Sequence, residues 1–350
     1  MPRVASAVLM PGAVARIEDF PVRVSWAADS SRFALAGGEG GVFSGLLAND
    51  TLKIDRLGDH GMGALDVAWR PGQAQFASCG QDNSMACWDA DSGAQIWRSA
   101  RGKQWVERLA WREDGSLLAS AAARQVTLSA ADGASVHVFE PLPASVNALS
   151  WSRDQRDLAA AAHGGVALLR IENDRYDYRL LTLSENCLTA EFSRNGKVIV
   201  TGTAEGSVHF WYLRNAHDSQ MRGYGSKVEH TLFTADSRFL VTAANNELVI
   251  WDFSGRGPEG TRPQQYRGHT ERVTGIALQT NGNYAATIGK DWRLSLWLPG
   301  KSSIALDAHL AESEPVLLSW SPDGRKLLLG EQSGQISVYH LSTPGKRASV

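Results

Sequence analysis

The chain has nine histidines and three cysteines, the residue types best able to hold a metal or run redox chemistry. A metal site needs its ligands on one face, as H-x-x-x-H, H-E-x-x-H and C-x-x-C spacings provide. None of these occurs. His163, His217 and His309 fall in expected turns or loops, and His209 in an expected strand. Cys79 and Cys87 lie symmetrically about Asn83 and could face each other across a hairpin. With His60 in the same repeat they would make a redox or metal cluster. The expected role is that of small, reduced core residues. Gly37-Gly38-Glu39-Gly40-Gly41 is glycine-rich, but it falls where a hairpin turn belongs. No nucleophile elbow, P-loop or dinucleotide fingerprint is present. No catalysis, metal or cofactor is therefore expected.

Bulk properties narrow the classes further. A net charge of −2 with no long basic run lacks the footprint of a nucleic-acid binder. Three cysteines do not make a disulfide framework. The N-terminal apolar stretch follows a single Arg3 and is broken by Pro11 and Gly12, which is too interrupted for a secretory signal. No apolar run approaches the ~18 residues of a membrane span. A cytoplasmic monomer that binds neither nucleic acid nor membrane is expected.

The elements that position these residues form a repeat. Trp26, Trp69, Trp111, Trp151, Phe192, Phe233, Leu278 and Trp320 recur at steps of 40 to 45 residues. Each closes an apolar strand and is followed by a polar turn and two more strand patterns. Such a period signals a β-propeller with one four-stranded blade per repeat. In the seventh repeat Val273–Leu278 is the inner strand and Tyr284–Ile288 the second. Gly289-Lys290-Asp291-Trp292 is the turn, and Leu294–Trp297 the third strand. The fold class expected is all-β: one closed propeller of eight blades over residues 1–350, with seven as the alternative. Blades start near 21, 64, 106, 146, 187, 228, 273 and 315. The N-terminal segment around Val14–Phe20 completes the last blade and so removes an exposed edge. Residues 342–350 form a flexible tail. Asn215–Ser226 and Ser254–Pro263 are expected as long loops on one rim.

The repeats resemble the WD40 family. Trp88-Asp89 and Trp251-Asp252 match its Trp-Asp dipeptide, Gly268-His269 its Gly-His dipeptide, and Trp320-Ser321-Pro322-Asp323-Gly324 its first turn. The resemblance implies a structural hydrogen-bond tetrad of His269, Thr287, Asp291 and Trp297 in blade 7. It implies a second tetrad of His60, Ser78, Asp82 and Trp88 in blade 2. Blades 1, 3 and 4 lack the third-strand Trp. Glu205 and Asn246 stand at the Asp position in blades 5 and 6, so these five blades are expected to rely on packing. The stretch from Trp251 through Gly255, Arg256 and Gly257 to Thr261 is similar to bacterial WD40 proteins associated with CobW-type metal GTPases. That similarity implies an alternative role in zinc homeostasis. Asp89-Ala90-Asp91-Ser92-Gly93-Ala94-Gln95-Ile96-Trp97 resembles the tryptophan-docking motif of quinoprotein dehydrogenases. It occurs once, without their vicinal cysteine pair, so a quinoprotein-like enzyme ranks last.

What remains is a surface. In propellers of this family the loops entering each first strand and the turns between second and third strands share one face. Those positions here include Met62, Trp105, Arg124, Asn186, Lys227, Arg272, Lys290 and Trp292. Trp and Arg are enriched in interface hot spots. The expected function is a non-catalytic scaffold for a protein or peptide partner. Trp105 and Trp292 would be its aromatic anchors, while Arg124 and Arg272 would select acidic or carbonyl groups.

Overall fold

A computed structural model describes residues 7–343 apart from 174, 216 and 256. Eight antiparallel sheets follow one another along the chain, and no helix occurs among the described residues. First strands begin at Pro21, Ala64, Val106, Val146, Glu191, Thr231, Val273 and Pro315. In blade 5 an isolated bridge between Cys187 and Thr203 carries pairing back ahead of Glu191.

The repeat follows from how blades pack. Second strands such as Phe33–Gly37 and Phe76–Gly80 are buried at every position, because each sheet is covered on both faces by its neighbours. The core is accordingly a series of seams. One joins Ala34, Ala36 and Val42 of blade 1 to Val67, Trp69, Phe76 and Trp88 of blade 2. Burying each large apolar side chain contributes about 1.5–3 kcal/mol. The anchor tryptophans add a directional bond across the seams. Trp111, Trp151 and Trp320 donate Nε1–H to the carbonyls of Ala68, Ala110 and Ala277 in the preceding blade, at 3.1, 3.0 and 3.2 Å. Trp26 is equally buried, but its Nε1 has no partner.

Ring closure uses the N-terminal segment. Val8–Arg16 pairs antiparallel with Gln335–Ser342, the third strand of blade 8. The closing strand thus lies earlier than the Val14–Phe20 expected. It includes Pro11 and Gly12, which sit at a register shift between Pro11 and Val14. Pro11 is tolerated because this is the outermost strand, where a missing N–H costs no ladder bond. Ser342 ends the pairing, and residues 344–350 of the expected tail lie outside the described residues.

Two further expectations change. In blade 4, Asp157–Glu172 runs as one strand, paired with Val146–Trp151 on one side and Arg175–Asn186 on the other. It bends at Gly164 and Gly165, with φ of 98° and 136°, and Ile171 N–H donates to the Arg156 carbonyl at 2.7 Å. Its two arms therefore supply the second and third strands. The stretch Asn215–Ser226 is not a single rim loop. It contains the outer strand of blade 5, Asp218–Met221, so its two ends lie at opposite rims. Ser254–Pro263 does join a third strand to an outer strand, and its Arg256 lies outside the described residues.

Candidate partner-binding face and the networks that hold it

The polar groups with chemical potential are mostly consumed in holding the blades. In blade 7, His269 Nδ1 lies 2.9 Å from Asp291 Oδ1 and Nε2 lies 2.8 Å from Thr287 Oγ1, which also accepts Trp297 Nε1–H at 2.8 Å. Blade 2 repeats this with His60, Asp82, Ser78 and Trp88 at 2.9, 2.8 and 2.7 Å. An indole N–H can only donate, so the hydroxyl accepts from it and keeps its own proton to give to the histidine Nε2. An imidazole that accepts that proton at Nε2 has Nδ1–H to donate to its carboxylate. Burial pushes the His60 pKa down, with Asp82 offsetting part of the effect. Burial also opposes charge on Asp82 and Asp291. Hydrogen bonds from His60 and Ser84, and from His269 and the Thr270 amide, outweigh it and hold both carboxyls below their usual range. Gly268 is required beside His269, because a Cβ there would come within 2.6 Å of the Trp297 ring.

Blade 6 builds the same junction from other residues, which sequence reading missed. Trp251 Nε1–H donates to Tyr224 Oη at 2.8 Å, and Tyr224 Oη lies 2.8 Å from Thr242 Oγ1. The signal was available: Tyr224 precedes Thr242 by the interval that separates His60 from Ser78 and His269 from Thr287. Asn246 and Glu205 meanwhile pin neighbouring loops, through Asn246 Nδ2–H to the His269 carbonyl and the Asn186 amide to Glu205. In blade 1 Asp19 accepts the amides of Phe20, Glu39 and Gly41, which fixes the glycine-rich segment as a turn. In blade 8 buried Glu331 accepts the Ser313 amide.

The cysteines do not come together. Cys79 stands opposite Met85, and Cys87 opposite Ala77. Burial pushes the Cys87 and Cys187 thiols up to about 11 and raises Cys79 well above its usual value. Such thiols are inert. No group of three or more His, Cys, Asp or Glu among the described residues is arranged to hold a metal ion. His209 faces Asp218 at 2.9 Å, and His309 faces Asp307 at 3.0 Å. The segment Asp89–Trp97 crosses from the third to the outer strand of blade 2. Asp89 caps its turn there through Ser92, and Trp97 Nε1 donates to the Ala131 carbonyl.

The loop entering a first strand lies beside a turn between second and third strands. Backbone bonds join the two kinds of loop directly, from Lys290 N to Arg272 O, Val273 N to Asn245 O and Ala204 N to Asn186 O. On that rim Met62, Trp105 and Trp292 are 75%, 46% and 44% exposed. They fall into two arcs. Met62, Trp105 and Arg124 belong to blades 2 and 3; Arg272, Lys290 and Trp292 belong to blade 7, across the ring. The cations differ in availability. Arg272 is paired with Glu229, which also holds Lys227, and Lys290 is paired with Glu314. Arg124 has no ion-pair partner among the described residues. All eight turns between second and third strands place at least one residue at positive φ: Gly40, Asn83, Ala123, Gly164 (with Gly165), Gly206, Asn245, Trp292 and Gly334. Seven use Gly, Asn or Ala, whereas the eighth uses an exposed tryptophan at φ 62°.

Comparison with known proteins agrees with this geometry. The WD domain, G-beta repeat family matches residues 52–89, 181–212 and 260–297. The chain is 19% identical over 204 residues to the guanine nucleotide-binding protein subunit beta of Saccharomyces cerevisiae, covering 55% of this chain and 47% of that one. It is 25% identical over 148 residues to the target of rapamycin complex subunit wat1 of Schizosaccharomyces pombe, covering 41% and 45%. The chain spans about half or less of the length of the curated relatives it matches. Among solved structures, the computationally designed Ika8 protein superposes with a TM-score of 0.76 at 16% identity, over 96% of this chain and 99% of that one. The first matched segment starts on the outer strand of blade 1 and finishes on the third strand of blade 2. A repeat staggered in this way ties neighbouring blades into a ring, and the chain is a β-propeller that carries WD40 repeats at three positions.

Proposed function

We propose that this chain is a non-catalytic, monomeric scaffold that presents its loop rim to a protein or peptide partner. The observation that carries the reading is Trp292. A bulky residue in the left-handed region costs about 1–2 kcal/mol, and here it also leaves indole surface in water. Strain of this kind concentrates at binding sites. Trp105 supplies a second exposed indole across the ring, and Arg124 an uncommitted guanidinium. The rim is preorganised by the bonded loops beneath it, so little conformational entropy is lost on binding. Arg272 and Lys290 enter as paired charges that set local geometry. Several relatives are, by name, subunits of larger assemblies, which supports a role in assembly.

The test is affinity capture from source-cell lysate with wild type beside Trp105→Ala/Trp292→Ala. The expected result is a partner captured by wild type and lost in the variant at unchanged melting temperature. Capture that survives both substitutions would refute the assignment of this face.

A further inference from the structure

We propose that the cleft between blades 4 and 5, on the rim opposite Trp105 and Trp292, docks an acidic segment of a partner protein. This second surface goes beyond the loop-rim reading and does not depend on it. The cleft has a volume of about 500 Å³, with Leu168, Phe192 and Leu213 along it and Arg153 and Arg179 at its edges. That volume lies within the ≈ 300–1,000 Å³ of ligand-binding clefts. A hollow of about 290 Å³ shares Arg153 and Asn195 with it and continues past Arg194 toward Asn281 of blade 7. Together they form one track from the outer part of blade 4 to the turns that follow the first strands.

The lining charges are equal in number, Arg153, Arg170, Arg179 and Arg194 against Asp154, Asp157, Asp177 and Asp236, but they differ in how far they are engaged. Its acids are largely committed. Asp154 accepts from Ser152 Oγ and the Arg156 amide, and Asp236 from Thr234 Oγ1 and the Arg238 amide. Asp157 pairs with Arg170 at 3.2 Å. Glu172 pairs with Arg156 and Arg170 at 3.6 and 3.7 Å, and Asp177 accepts the Tyr178 amide. The guanidiniums of Arg153, Arg179 and Arg194 are exposed and have no ion-pair partner among the described residues. Each can take a carboxylate in the two-pronged geometry that arginine favours. Two free guanidiniums at the apolar floor, Arg153 and Arg179, with Arg194 further along the track, match an extended peptide that carries carboxylates on either side of one apolar side chain. Nucleic acid fits less well. It calls for neutralisation of many phosphates, and this chain has a net charge of −2.

The test uses an array of short peptides in which one leucine or phenylalanine is flanked by glutamates, beside the same array with lysines. Wild type is expected to bind the glutamate array selectively. Arg153→Glu/Arg179→Glu should weaken that binding at least about tenfold, and added salt should weaken it as well. Both arginines are exposed, so the melting temperature should not move; Arg194→Glu provides an independent variant along the same track. Trp105→Ala/Trp292→Ala should bind the glutamate array as wild type does, which separates this proposal from the loop-rim one. Equal binding to both arrays, or full binding by the arginine variants, overturns it. So does a single-stranded oligonucleotide that binds more tightly than the glutamate peptides.

Discussion

Replacing Thr287 by valine removes one oxygen from blade 7 with almost no change in shape. That oxygen accepts Trp297 Nε1–H and lies within hydrogen-bond reach of His269 Nε2, both at 2.8 Å, and Trp297 is fully buried. The variant therefore strands two buried polar groups. At about 1–3 kcal/mol for each, the loss is about 2–6 kcal/mol. An unfolding entropy of about 2.1 cal/mol/K per residue turns this into a fall of about 3–8 °C in Tm for a cooperative unit of this size. Calorimetry and urea unfolding read both quantities. A double-mutant cycle sharpens the test. Trp297→Phe alone removes a donor and leaves the hydroxyl bonded to His269. In the Thr287→Val background it removes a group that is already stranded. The two losses should therefore add to less than their sum. A Tm within about 1 °C of wild type, or strict additivity, would show that the hydroxyl does not bridge the pair.

Tyr224→Phe should cost about 1–3 kcal/mol in a urea titration, because it strands Trp251 Nε1–H and a Thr242 partner. A neutral result would return blade 6 to packing alone. Acid should destabilise the fold in two stages. His60 has a lowered folded pKa, so its contribution is complete above the unfolded value near 6.5 and is lost as pH falls below it. Asp82 and Asp291 act the same way from the usual carboxylate range downward. Glu191 works in the opposite direction. Burial pushes it up to about 7, so its contribution is present below about 4.5 and lost as pH rises through 7. Urea midpoints against pH for wild type and Glu191→Gln check both signs, and the substitution should raise the midpoint at pH 8.

Much of the ring was legible because its anchors are large residues at a fixed interval, and a tryptophan buried at a seam has few substitutes. Gly268-His269 and the intervals among His60, Ser78, Asp82 and Trp88 were readable for the same reason: a buried imidazole needs partners at set distances. What escaped was substitution of function by a different shape. Tyr224 reaches the Thr242–Trp251 junction with a phenol where a pattern search looks for imidazole. Asp218–Met221 has the polar composition of a loop, yet it lies as a strand because the partner backbone of Val208–Trp211 is there to pair with it. Cys79 and Cys87 looked symmetric about a turn, but cross-strand register, not distance from Asn83, decides who faces whom. On the rim, sequence could place Arg272 and Lys290. It could not show that Glu229 and Glu314 already hold them, since those pairs form across neighbouring blades.

The closing strand also bears on synthesis. Leu9 N–H bonds Asp307, 298 residues further along, and its strand pairs with the third strand of blade 8. At about 5–20 residues per second, a ribosome needs roughly 15–60 s between making Leu9 and making that partner. Throughout that interval the apolar side chains of Val8 and Leu9 and an unpaired backbone edge are available to any passing strand. Ring closure is thus what removes this edge from the nascent chain, and until then it stays open to intermolecular pairing.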